Sequence, residues 1–218
     1  MTNPGLLTVG KEQCLRAEFR THRTTAAGAQ RYNASIERAL ESIIELQRPV
    51  IAVVRGLAVG GGCELAASCD LRVASDHARF GIPIGRLGVT LGYVESRVLT
   101  QLIGPARLKD LLFTGRLVDA REALAIGLAD RVVAEAQLQS AVEDVLEAIL
   151  CSAPTTLRAA KVVTNMCGRP LTAADSDLLA ALTVAAYEGP ELQEGISAFL
   201  EKRRPSFESQ PPTSVTAC

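Results

Sequence analysis

The strongest pattern in the chain is an unbroken apolar run, Val50-Ile51-Ala52-Val53-Val54, followed after a short turn by Gly60-Gly61-Gly62 and then Cys63-Glu64-Leu65-Ala66-Ala67. A continuous β-branched run predicts a strand buried on both faces, and the residues after the glycines predict the start of a helix. Upstream, Ile36, Leu40, Ile43 and Ile44 recur at i, i+4, i+7 and i+8, which predicts an amphipathic helix over about 30–47 leading into that strand. Leu6-Leu7-Thr8-Val9 predicts a short strand, 71–75 another and 78–81 a third, closed by Pro83. Strands alternating with helices imply an α/β fold with a largely parallel sheet covered by helices.

Beyond Gly92 the pattern becomes helical. Pro105 marks a helix start, Asp119-Ala120-Arg121-Glu122 has the D-x-x-E form of a capping box, and Gly127 marks a stop. Leu138, Val142, Val145, Leu146 and Ile149 form one stripe over 137–150. Pro154 opens a helix to about 166, and two more are expected between 172 and 202. The chain thus divides into a βαβ core over 1–104, a helical region over 105–204 and a tail over 205–218, rich in Pro, Ser and Thr and expected to be disordered.

At 218 residues with a net charge of −1, the chain has the length for a real core and lacks clustered Lys/Arg, which argues against nucleic acid as a partner. Its apolar runs are interrupted well before membrane-spanning length, and the first ten residues lack the basic start and apolar core of a signal peptide, so a cytoplasmic, membrane-free protein is expected. Six cysteines (14, 63, 69, 151, 167 and 218) lie singly, and the only histidines are His22 and His77. Neither a disulfide framework, nor a metal site, nor a Ser-His-Asp triad is indicated.

Candidate chemistry therefore centres on the glycine turn. Three successive glycines cost backbone entropy and call for positive φ or a close approach to bare backbone. Unpaired N–H groups at a helix N-terminus favour an anion, so the amides of Gly60, Gly61 and Gly62 are placed to hold a phosphate or an oxyanion; tight helix-on-strand packing explains the same glycines equally well. A dinucleotide fingerprint fails because Leu65 stands where the third glycine belongs, and no Lys-Ser/Thr follows for a Walker loop.

Four blocks in order carry a resemblance: residues 49–70; Phe80-Gly81-Ile82-Pro83; Leu112-Phe113-Thr114-Gly115-Arg116-Leu117-Val118-Asp119-Ala120 with Glu122-Ala123-Leu124; and Glu194-Gly195-Ile196 through Phe199-Leu200-Glu201-Lys202-Arg203-Arg204-Pro205. On these the chain resembles the enoyl-CoA hydratase/isomerase, or crotonase, family. The resemblance implies a crotonase-like spiral of βαβ units followed by a C-terminal helical trimerisation region. It also implies chemistry on acyl-CoA thioesters of the kind used in fatty acid metabolism, a homotrimer or dimer of trimers, and no cofactor beyond the coenzyme A carried by the substrate.

It assigns one oxyanion N–H to Gly61, a substrate-binding place to Gly60 beside it, and a second oxyanion N–H to Ala17, from Cys14-Leu15-Arg16-Ala17-Glu18-Phe19-Arg20. Arg20 would reach the CoA phosphates, Phe199 and Lys202 would contact the adenine end of CoA from a neighbouring subunit, and Glu64 would act as base. Two departures stand out. The family's first strands and helix are not represented before Leu6, and the second family glutamate is replaced by Ile84. Glu95 and Tyr93, in Gly92-Tyr93-Val94-Glu95, fall in the family's glycine-rich loop and are candidates for the missing acid, although an exposed loop charge is the commoner outcome for such a residue. The expected activity is hydration or isomerisation of a 2,3-enoyl-CoA. The alternatives are another crotonase reaction, such as decarboxylation or double-bond isomerisation, and a non-catalytic acyl-CoA-binding or assembly subunit.

Overall fold

The computed structural model describes residues 5–9 and 25–207. The expectations for Ala17 and Arg20, and for the tail from 208 onward, fall outside these residues. The described chain forms two compact units, one of 6–9, 25–46 and 50–142, the other of 5, 47–49 and 143–207.

In the first unit, the predicted strand is β2 (Val50–Val54), buried at every residue as its apolar run requires. It lies parallel to β4 (Leu71–Ser75) in register Ile51↔Leu71 through Val54↔Ala74, and β4 lies parallel to β7 (Arg131–Val133), giving the order β1-β2-β4-β7 with β1 (Gly5–Val9) at the edge. A second sheet, β3-β5-β6, pairs β3 (Leu57–Val59) parallel to β5 (Arg79–Gly81) and β5 antiparallel to β6 (Val118–Asp119). The segment after Val54, read as a short turn, thus contains a strand. Strands of two or three residues are too short to show a period, and β3, β6 and β7 exist because neighbouring strands accept them.

The helix predicted over 30–47 is α1 (Ala26–Glu45), begun earlier because Thr25 caps it by accepting from the Gly28 N–H at 3.1 Å. After the glycines come α2 (Gly61–Ser68), α3 (Tyr93–Ile103), α4 (Pro105–Thr114) and α5 (Ala120–Ile126). Cys63, Ala66 and Ala67 on α2 join Val54, Phe80 and Leu99 in one core. Small residues on this face let a short helix lie close to both its strand and α3. The capping box at Asp119 is only half formed. Its carboxylate accepts from the Glu122 N–H at 2.8 Å, while the Glu122 carboxylate takes two bonds from Arg116, at 2.9 and 2.6 Å.

Helix α6 (Leu138–Leu150) runs from the first unit into the second, which continues with α7 (Pro154–Met166), α8 (Ala173–Glu188) and α9 (Pro190–Glu201). Here a complete capping box does form, at Thr172 and Asp175. The second unit is further tied by Glu191 accepting from the Thr155 N–H at 3.0 Å and by Arg203 paired with Glu194 at 2.6 Å.

Candidate active site

The glycine turn is built by the small β3/β5 pair. Val59 lies opposite Gly81, and one residue on, the Gly60 N–H donates to the Gly81 carbonyl at 2.9 Å. Gly60 then turns at φ 59° and ψ −125°, a conformation that an L side chain resists, and its carbonyl accepts from the N–H groups of Cys63 at 2.9 Å and Glu64 at 3.0 Å. Both polar groups of Gly60 are therefore committed to holding the turn, so its amide is not the anion donor that the sequence suggested. Gly61 and Gly62, half-buried, open the helix, and among the described residues the backbone bonds of the turn do not use the Gly61 N–H. This is an oriented donor at a positive helix end.

Glu64 follows in the first turn of α2 and is buried; its Oε2 lies 4.0 Å from the point a Cβ on Gly61 would occupy. A carboxylate and an uncommitted N–H thus share one end of a helix. Beside them, burial pushes the Cys63 thiol up to about 12, and the negative Glu64 adds to that shift, so Cys63 is an inert packing group. The other end of α2 is fixed by buried Arg72, whose guanidinium donates to the Cys69 carbonyl at 2.8 Å and pairs with Asp130 at 2.6 Å. Asp70 accepts from the Val50 N–H at 2.7 Å, locking the helix exit to β2.

Ile84, where the resemblance places a second glutamate, opens a short 3₁₀ turn (Ile84–Arg86) and packs half-buried against the core. Glu95 is not the exposed loop charge that was expected. The segment is the first turn of α3, and Glu95 is buried at 5% exposure because α3 packs on α2. Tyr93 in the same turn is 76% exposed. His77 is exposed in the turn after β4, 3.6 Å from Asp76. Phe199 and Lys202 lie in the second unit, at the end of α9; Phe199 is exposed, and Lys202 takes φ 55° at the helix terminus. Sequence reasoning missed two features here, the Gly81 carbonyl as anchor of the turn and the burial of Glu95. Both depend on pairings between distant elements. Among the described residues there is no cluster of three or more His, Cys, Asp or Glu side chains suited to a metal ion, and no helix long and apolar enough to cross a membrane.

Residues 17–210 match the model of the enoyl-CoA hydratase/isomerase family. The chain belongs to this family. It is 34% identical over 192 residues to a crotonyl-CoA hydratase of Syntrophomonas wolfei, an alignment taking in 85% of this chain and 72% of that one. It is 37% identical over 163 residues to a short-chain-enoyl-CoA hydratase of Clostridium acetobutylicum, with 73% and 61% of the two chains covered. Among solved structures, an enoyl-CoA hydratase/carnithine racemase from Magnetospirillum magneticum superposes with a TM-score of 0.84 at 29% identity, over 94% of this chain and 79% of that one. The family's crotonase fold accounts for the parallel sheets and the helices that follow, and a crotonase-type reaction on an acyl-CoA is the family's common chemistry.

Proposed function

We propose that the chain hydrates or isomerises a 2,3-enoyl-CoA thioester through an enolate held at the glycine turn. The observation that carries this reading is the Gly61 N–H, left uncommitted at the positive end of α2 beside the buried carboxylate of Glu64. As negative charge moves onto the thioester oxygen, that N–H donates to it, with Ala17, outside the described residues, as the second donor. Glu64 takes a proton from water as its oxygen bonds to C3, or from the substrate carbon in an isomerisation. Arg20, Phe199 and Lys202 are assigned to the coenzyme A moiety, and the working form to a homotrimer or a dimer of trimers.

Ile84 favours a second reading, in which one carboxylate suffices and the reaction is double-bond isomerisation or decarboxylation. Incubation with a panel of acyl-CoAs in heavy water, followed by mass spectrometry, separates the three reactions. Gain of water supports hydration, deuterium uptake without gain of water supports isomerisation, and loss of carbon dioxide supports decarboxylation. Binding without any of these outcomes overturns the catalytic reading in favour of an acyl-CoA-binding or assembly subunit.

A further inference from the structure

Hydration places a hydroxyl on C3 and a proton on C2, so it needs two proton transfers on two carbons. Glu64 provides for one. Three carboxylates are buried among the described residues: Glu64, Glu95 and Asp175. Asp175 belongs to the second unit, where it accepts from Arg169 at 2.7 and 2.8 Å and closes the Thr172 cap, so it is occupied with structure. Glu95 remains.

Several observations join Glu95 to the glycine turn. Gly60, which forms that turn, is bonded to Gly81, and three residues beyond Gly81 the chain enters the turn at Ile84. The Val89 N–H reaches back to the Ile84 carbonyl at 3.5 Å, so the segment folds onto itself before α3 begins. Helix α3 then packs on α2, and α2, at eight residues, is only about 12 Å long. Glu64 and Glu95 thus stand in the first turns of two helices that pack on each other, and both are buried. Gly92 adds a further constraint. A Cβ there would collide with the Glu95 carboxylate, so the absent side chain is what lets the carboxylate fold back where it does. Ile84 presents only hydrocarbon, and Tyr93 points into solvent.

We propose that Glu95 is the second proton-transfer carboxylate of this site, taking over from a chain position occupied by Ile84; this rests on the enolate reading above. In the forward direction, water bonds to C3 and its proton passes to Glu64, while the electron pair of the C2=C3 bond moves into the enolate held by Gly61. The enolate then collapses with the Glu95 proton bonding to C2. Glu64 returns its proton to solvent and Glu95 takes one up, so the net change is addition of one water.

The test uses the full chain, crotonyl-CoA as probe, and two readouts, hydration rate and solvent-deuterium entry at C2 of the hydrated product. Glu95→Gln is expected to lower both by about 10² to 10⁴, with crotonyl-CoA binding retained and one limb of the wild-type pH profile removed. Ile84→Glu in the Glu95→Gln background is expected to restore turnover, a rescue that a purely structural role for Glu95 does not allow. Gly92→Ala, which keeps the carboxylate but displaces it, is expected to lower kcat with little change in KM, and it serves if Glu95→Gln melts early. If wild type turns over and Glu95→Gln stays within about threefold of it, Glu95 is only a helix cap and the proposal falls while the enolate reading stands. If wild type neither hydrates nor exchanges, both fall.

Discussion

Gly60 concentrates in one residue what the turn requires: a positive φ, a donor bond to Gly81 and a carbonyl that starts α2. An alanine at φ 59° and ψ −125° would be strained by about 1 to 3 kcal/mol, or would relax by rotating the peptide that carries the Gly61 N–H. Gly60→Ala is therefore expected to lower the melting temperature and to slow enolate formation by more than the stability loss alone explains, measured as C2 deuterium exchange at a temperature where the variant remains folded. Cys63 gives a second test at this scale. Its thiol is held up at about 12 by burial, so the folded chain keeps it protonated where an unfolded chain, with a thiol near 9, begins to ionise. Stability from this group is present below pH 9 and is lost as pH rises toward 12. Alkylation at pH 8 followed by peptide mass spectrometry should label exposed Cys151 and Cys167, and should reach Cys63 only after denaturant is added.

Elements long enough to show a period were legible in the sequence: β2, α1 and the helices from α4 onward declare themselves through runs, stripes and caps. The strands β3, β6 and β7 do not, since each is two or three residues stabilised by a partner elsewhere. The site divides the same way. Gly61 and Glu64 are neighbours on one turn, so their placement together could be read from spacing, whereas the burial of Glu95 arises only when α3 meets α2. Caps offer a check on single elements. Asp119→Ala removes the acceptor for the Glu122 N–H and is expected to cost about 1 kcal/mol by denaturant unfolding. At the end of α9, Arg203 hydrogen-bonds the Glu194 carboxylate, which also accepts from the Ser206 N–H, and together they hold its pKa down at about 2. A depressed carboxylate stabilises above its unfolded value near 4.5 and loses that contribution as pH falls toward 2. Hydrogen exchange at Ser206 should accordingly rise, relative to its intrinsic rate, across that interval and stay flat above it, and Glu194→Gln should remove the pH dependence.

At the scale of the whole molecule, the second unit exposes large apolar side chains on two adjoining helices. Helix α8 reads Ala-Ala-Asp-Ser-Asp-Leu-Leu-Ala-Ala-Leu-Thr-Val-Ala-Ala-Tyr-Glu, with apolar residues around its circumference after the first turn. A helix of that kind is ordinarily buried on every side. Yet Leu178, Val184 and Tyr187 are 39%, 51% and 72% exposed, and on α9 Ile196, Phe199 and Leu200 are 45%, 82% and 72% exposed. Scattered apolar residues need no explanation, but six on two adjoining helices do, and cover by further copies of the chain would relieve the exposure through a closed, repeated interface. Self-association is expected, with a trimer as the preferred state, and sedimentation at micromolar concentration should give a mass near three chains. Val184→Glu is the sharper test, because its side chain is half-exposed and the substitution costs an isolated chain little, whereas a carboxylate buried without a partner at an interface costs several kcal/mol. The variant should sediment as a single chain with its circular dichroism intact. A wild type that sediments as a single chain, or a Val184→Glu variant that assembles as wild type does, would remove α8 from any interface and leave its exposed face to a partner of another kind.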